Sequence, residues 1–233
     1  MKSLAVLFLS TSLLIAAEDK PTAHESRQIE GWTVQVDKRL LASTDAPLGE
    51  KALALLRARL ADIITVVSAD KVTRLQQVPI WLDLNHGTLT SMQYHPSADW
   101  LVENGFSRDL TKVVHIPSAA RFIAARHQHV QPWCVLHELA HAYHDQVLGF
   151  EEARVRACWQ RYVDSKHGEK ALHVDGRTVR HYALTNQKEF FAEMTEAYFG
   201  TNDFTPFVHG HLKRDEPETF ALLHEIWGRT ALE

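Results

Sequence analysis

Apolar positions along the chain change period several times, and each change marks an element. Trp32, Val34 and Val36 alternate with Thr33 and Gln35, which predicts a half-buried strand over 32–36. Asp45 and Pro47 suit the start of a helix. Behind them Leu48, Ala52, Leu53, Leu55, Leu56, Leu60, Ile63, Ile64 and Val67 recur at helical spacing and give it a broad apolar face. Residues 78–84 read as a strand with Pro79 near its start or on an edge. Residues 88–95 read as a second strand or a loop, 96–105 as a short helix or turn ending at Gly105, and 112–116 as a further strand.

The second half is mainly helical. Residues 132–148 form a predicted helix opened by Pro132 and stopped by Gly149 and Phe150. Trp133, Val135, Leu136, Leu139, Ala140, Ala142, Tyr143 and Val147 make it apolar on nearly every side, so it belongs in the interior. Residues 151–164 follow as a helix with Glu151 and Glu152 at its positive end. Residues 171–174 and 177–182 read as a hairpin about Asp175-Gly176. The last helices cover 186–199, stopped by Gly200, and 215–227, where Asp215 and Glu218 suit a capping arrangement and Phe220, Leu223 and Trp227 face inward. The expectation is an α+β fold in which a small sheet packs on the 132–148 helix, built as one domain over 31–233.

The amino terminus carries a different signal. Met1-Lys2-Ser3, an apolar run to Ala17 and small residues at a plausible cut read as a secretory signal peptide over 1–17. A flexible polar lead is expected over 18–30, and the protein is expected to be secreted or periplasmic. Of the 25 basic groups against 29 acidic ones, only Lys2 lies in the leader. The chain therefore stays acidic and shows no basic face for nucleic acid or an anionic membrane. Nothing indicates a membrane role after leader removal, and a monomer is expected. Cys134 and Cys158 fall at different heights on consecutive helices, about 9 Å apart along the axis, which favours two buried free thiols over a disulfide.

Chemistry concentrates in His137-Glu138-Leu139-Ala140-His141. Residues four apart share a helix face, so both imidazoles can close on one metal ion, as zinc prefers. Glu138 lies beside the ion, where its carboxylate can take a proton from an attacking water. Two histidines need a third protein ligand. His144 lies about 10 Å along the axis from His137 and is read as lining the cleft. His115 is read as a strand residue and Cys134 is disfavoured as a ligand. The better source is Glu189, with Glu193 one turn later able to accept the remaining N–H of His137 or His141. Asn186 with Glu189 also fits a capping box, which accounts for Glu189 alone.

Tyr182 to Glu193, with its E-F-F-A-E run, taken together with the H-E-x-x-H helix resembles the C-terminal metallopeptidase domain of anthrax lethal factor and its relatives, a branch of the gluzincins. Residues 212–220 are similar to that domain's closing helix, and the resemblance covers roughly 112–227. It implies a zincin-like fold, one Zn2+ held by His137, His141 and Glu189, Glu138 as general base, and Tyr182 as donor to the oxyanion. In such peptidases the strand before the metal helix, here 112–116, commonly lies at the sheet edge beside the cleft. The resemblance implies a peptide or protein substrate without saying which. Two other readings compete: a non-catalytic zinc-bound module recognising a peptide or cell-wall component, and a histidine-rich metal binder using the pairs His127/His129 or His209/His211 at the surface. Intact Glu138 and Tyr182 argue against the first.

Overall fold

A computed structural model describes residues 20–230; the leader expected over 1–17 lies outside the described residues. The first element corrects the expected flexible lead. Residues His24–Ile29 form β1, paired antiparallel along its whole length with β2, Trp32–Asp37, through a turn in which Glu30 and Gly31 both take positive φ. β1 escaped the hydrophobic pattern because five of its six side chains are polar and three of them are exposed. Backbone pairing holds it, together with His24, whose Nε2 donates to the buried Asp83 at 2.7 Å.

Two 3-10 turns lead from β2 into α1, Ala46–Val66, and a short helix that the sequence did not announce, α2, Ala69–Leu75. Then come β3, Ile80–Leu82, β4, Gln93–Tyr94, α3, Ala98–Glu103, and β5, Val114–Ile116. The sheet order is β1-β2-β3-β5-β4, with β2, β3 and β5 parallel and the outer strands antiparallel, so the sheet is mixed. The expected edge position of 112–116 is therefore corrected: β5 lies inside, and the two-residue β4 forms the edge. Val34, Val36, Ile80, Leu82, Val114 and Ile116 are buried in one core with Leu56, Leu60 and Ile63 of α1.

Next come the short helices α4, Ala119–Phe122, and α5, Ala125–Val130, and then α6, Cys134–Tyr143, which continues as a π-helical turn to Leu148 and stops at Gly149, φ 82°. α7 spans Ala153–Ser165, where the Glu152 carboxylate caps the helix by accepting from Val155 N. The expected hairpin shrinks to β6, Ala171–Leu172, and β7, Thr178–Val179, and residues 182–184 turn into a 3-10 segment. α8, Gln187–Phe199, α9, His209–Asp215, and α10, Pro217–Trp227, complete the chain. Asp215 ends α9 instead of capping α10, which begins with Pro217 in its first turn. No described helix is long and apolar enough to cross a membrane.

α8 is buried at every position from Phe190 to Phe199, and Trp227 of α10 closes its back. The indole is wholly buried against Tyr143, Phe191 and Phe199 and donates to Thr195 Oγ1 at 3.1 Å. α6 and α8 meet closely at Gly200, where a Cβ would lie 2.0 Å from the Trp133 ring; only glycine admits the indole there.

Both cysteines are buried and unpaired. Several histidines are buried too. Asp83 also accepts from His86 Nδ1 at 2.6 Å and His115 Nε2 at 2.8 Å, while His95 Nε2 meets His115 Nδ1 at 3.3 Å, so one carboxylate ties β1, β3 and β5 together. His144 does not line the cleft as expected: it is wholly buried against Phe150 and Phe191, with neither ring nitrogen hydrogen-bonded. His209, expected at the surface, is buried and donates from Nδ1 to Tyr198 O.

Burial lowers His95 to about 3, His144 to about 4 and His181 to about 3. At these three positions the unfolded chain, in which histidine titrates near 6.5, therefore binds more protons than the folded one below that pH. Their contribution to stability is complete above about pH 6.5 and falls with acidification towards 4, by about 1.4 kcal/mol per pH unit for each of the three. Urea unfolding of the metal-stripped protein should show a midpoint that drops less between about pH 6.5 and 5 in His144→Leu than in wild type; parallel pH dependences would contradict a neutral buried His144.

Candidate metal centre

α6 presents His137 and His141 on one face and α8 presents Glu189 opposite them. The Asn186 side chain caps α8 by accepting from Lys188 N and Glu189 N at 2.9 and 3.0 Å, and this leaves the Glu189 carboxylate free of the capping box. It points instead at the imidazoles. Nε2 of His137, Nε2 of His141 and Oε2 of Glu189 form a triangle with sides of 3.1, 3.2 and 3.3 Å. Ligand atoms of a tetrahedral shell with bonds of about 2.0 Å lie about 3.3 Å apart, so the three atoms fit around one ion.

The tautomer of His137 strengthens this fit. Its Nδ1 lies 2.7 Å from Glu196 Oε1, an oxygen that only accepts, so the proton is on Nδ1. In a neutral ring Nε2 then carries a lone pair and faces the Glu189 oxygen, another acceptor. Either a second proton or a metal cation must stand between them. Without a metal, burial disfavours the imidazolium, but Glu189 and Glu196 outweigh it and hold His137 well above its ordinary value. The imidazoles likewise hold Glu189 below the usual carboxylate range despite its burial.

Glu196 is the residue the sequence reading missed, and it takes the place given to Glu193. Glu193 stands 3.9 Å from His137 Nδ1 and 3.8 Å from His181 Nδ1, too far for a hydrogen bond to either. The signal was present: Glu189, Glu193 and Glu196 follow the i, i+4, i+7 spacing of one helix face. Glu193, Glu196 and Asp203 crowd together in the interior, and Glu193 Oε2, Glu196 Oε2 and Asp203 Oδ1 have no hydrogen-bond partner. Burial and the neighbouring carboxylates raise Glu193 well above its ordinary value and Asp203 to about 6, which favours a proton within the group.

Glu138 sits beside the triangle. It is 9 % exposed, and its Oε2 accepts from Tyr94 N of β4 at 2.7 Å. Burial raises its carboxyl above the usual range, opposed by His137, His141 and that N–H. Tyr94 is clamped at its other end too, with Oη donating to Asp145 Oδ2 at 2.7 Å just beyond α6. Tyr182, about half exposed, lines the same cleft, and burial with the nearby Glu189 raises its hydroxyl. His181 is turned inward, and its Nδ1 accepts from Ala183 N. The cleft encloses about 1000 Å³ and is lined by His137, Glu138, His141, Tyr182 and Glu189.

Among the described residues two other sets of side chains come close enough to hold an ion: Asp83 with His86 and His115, and His137 with Glu193 and Glu196. Their shortest contacts, 2.6 to 2.8 Å in the first and 2.7 Å in the second, are hydrogen-bond lengths and fall short of a coordination edge. The triangle on α6 and α8 is the set whose spacing suits a metal.

Glu196→Ala should weaken metal binding by about 10- to 100-fold, because His137 loses the acceptor that fixes its tautomer. Glu193→Gln should change it less, and competition with a chelating dye measures both. An equal loss in the two variants would return the supporting role to Glu193.

The chain matches no model of a known protein family, no curated protein and no solved structure.

Proposed function

We propose that this chain is an exported zinc endopeptidase of the gluzincin type, with a zincin-like fold related to the lethal factor metallopeptidase domain. The observation that carries the proposal is the convergence of His137, His141 and Glu189 at 3.1 to 3.3 Å, with Glu138 fixed beside them by a strand amide. Two imidazoles and one carboxylate are a zinc donor set that leaves a fourth position for the reaction. A zinc ion bound there polarises a carbonyl and lowers the pKa of water.

The chain's own residues supply the rest. Glu138 takes the proton from the attacking water and passes it to the leaving amine. The Tyr94 N–H occupies one Glu138 oxygen and sets the direction of the other. The Tyr182 hydroxyl donates to the oxyanion that develops on the scissile carbonyl, and burial keeps that hydroxyl protonated. Glu196 holds His137 in the tautomer that turns Nε2 to the ion. β4, the sheet edge, contributes Gln93 and Tyr94 to the cleft wall, where an extended peptide can run alongside. A volume of about 1000 Å³ is at the upper end for small-molecule pockets and suits several residues of a peptide. Export is supported by the leader pattern at 1–17.

Glu138→Gln preserves an acceptor for Tyr94 N and removes only the base. It should bind one zinc per chain and lose at least about 100-fold in turnover. Tyr182→Phe should lose on the order of 100-fold in kcat with KM nearly unchanged. Mass spectrometry of a diverse peptide library is the readout: new termini should appear with zinc-loaded wild type alone. Cleavage that persists in Glu138→Gln would overturn the mechanism, and a library left intact by zinc-loaded wild type would favour a recognition module.

A further inference from the structure

The chain is acidic overall, yet the walls of its cleft carry the opposite sign. The acids lining the cleft are Glu138 and Glu189 at the metal centre and the buried Glu193, Glu196 and Asp203 behind His137. The charged residues on the walls are Arg121, Arg126, Arg177 and Lys188, all cations. Two of these are engaged: Arg177 pairs with Asp175 at 2.7 Å, and the Lys188 ammonium lies 4.3 Å from the Phe150 ring centre.

Arg121, in α4, and Arg126, in α5, are exposed, and neither side chain has a carboxylate partner among the described residues. The sequence explains why. No carboxylate occurs between Asp109 and Glu138, a stretch that supplies both short helices and so leaves this wall without a local counter-charge. Burial and the charge of Arg121 push His127 on the same wall below its ordinary value.

We propose that the α4–α5 wall selects peptides carrying an aspartate or glutamate near the bond to be cut, with Arg121 and Arg126 as the residues that read it. The inference rests on the peptidase reading of this cleft and names its substrate class. A guanidinium receives a carboxylate through two parallel N–H···O bonds, and an exposed arginine pair without internal acids keeps that capacity for a ligand. The acids behind His137 are at most 5 % exposed, and none of them pairs with either arginine.

Binding can be read apart from cleavage by using zinc-loaded Glu138→Gln. Two pools of fluorescein-labelled decapeptides serve as probes, one with Asp or Glu at alternate positions and the other with Asn or Gln there. In fluorescence anisotropy at about 20 mM salt the acidic pool should bind about tenfold more tightly, and the gap should close at about 300 mM. Adding Arg121→Ser and Arg126→Ser should abolish the preference while thermal melting and zinc content stay as before. Equal binding of the two pools, no binding of either, or a preference that survives loss of both arginines would overturn the proposal. If zinc-loaded wild type releases no new termini from either pool while the inactive form still prefers the acidic one, the peptidase reading fails and the wall assignment stands.

Discussion

Two helices that are each nearly all apolar, α6 and α8, carry four carboxylates and two imidazoles to the site between them, and much of the protein is arranged to make that tolerable. Burying an ionised group alone costs several kcal/mol, so each polar atom has to find a partner of complementary charge or geometry. The crossing of α6 and α8 supplies most of them at once: Glu189 faces both imidazoles, and Glu196 takes the outer nitrogen of His137. One remaining mismatch, two acceptors facing each other at 3.3 Å, is of the kind that a metal ion or a second proton would resolve. Trp227 and Gly200 set the closeness of that crossing. One fills the back of α8, and the other lets Trp133 lie against its end.

The sheet contributes less mass and more direction. β4 has only two residues, yet its Tyr94 amide orients Glu138 and its phenol reaches the turn beyond α6. The sheet edge and the metal helix are thereby locked as one unit. A peptide lying along β4 would be held in register with the group proposed to activate water. On the other side of the strands, Asp83 gathers His24, His86 and His115, which extends the same rigidity to β1.

Charge is layered around the centre. Acids that cannot escape into solvent lie behind His137, and raised carboxyls among them reduce the charge buried there. Cations face the open cleft. The proposed ion and substrate would thus approach from the same side into fields of different sign, one set by residues packed in the interior and the other by surface arginines.

The sequence by itself determined the longer elements and the residues of the candidate site. Period-two and helical patterns placed β2, α1, α6, α8 and α10 to within a few residues, because these segments bury a face and burial is written as periodicity. His137, Glu138, His141 and Glu189 were legible because fixed helical spacing puts them on definable faces. What the pattern could not carry was anything decided between elements. β1 is polar and held by backbone bonds, so it left no hydrophobic trace. β5 lies inside the sheet and β4 outside, since strand order is a matter of pairing partners. Glu196 in place of Glu193 became the partner of His137 through a crossing angle that sets which of two acids on one helix face comes within 2.7 Å. His144 shares the α6 sequence with the site histidines but was turned between Phe150 and Phe191 by packing that no local spacing encodes.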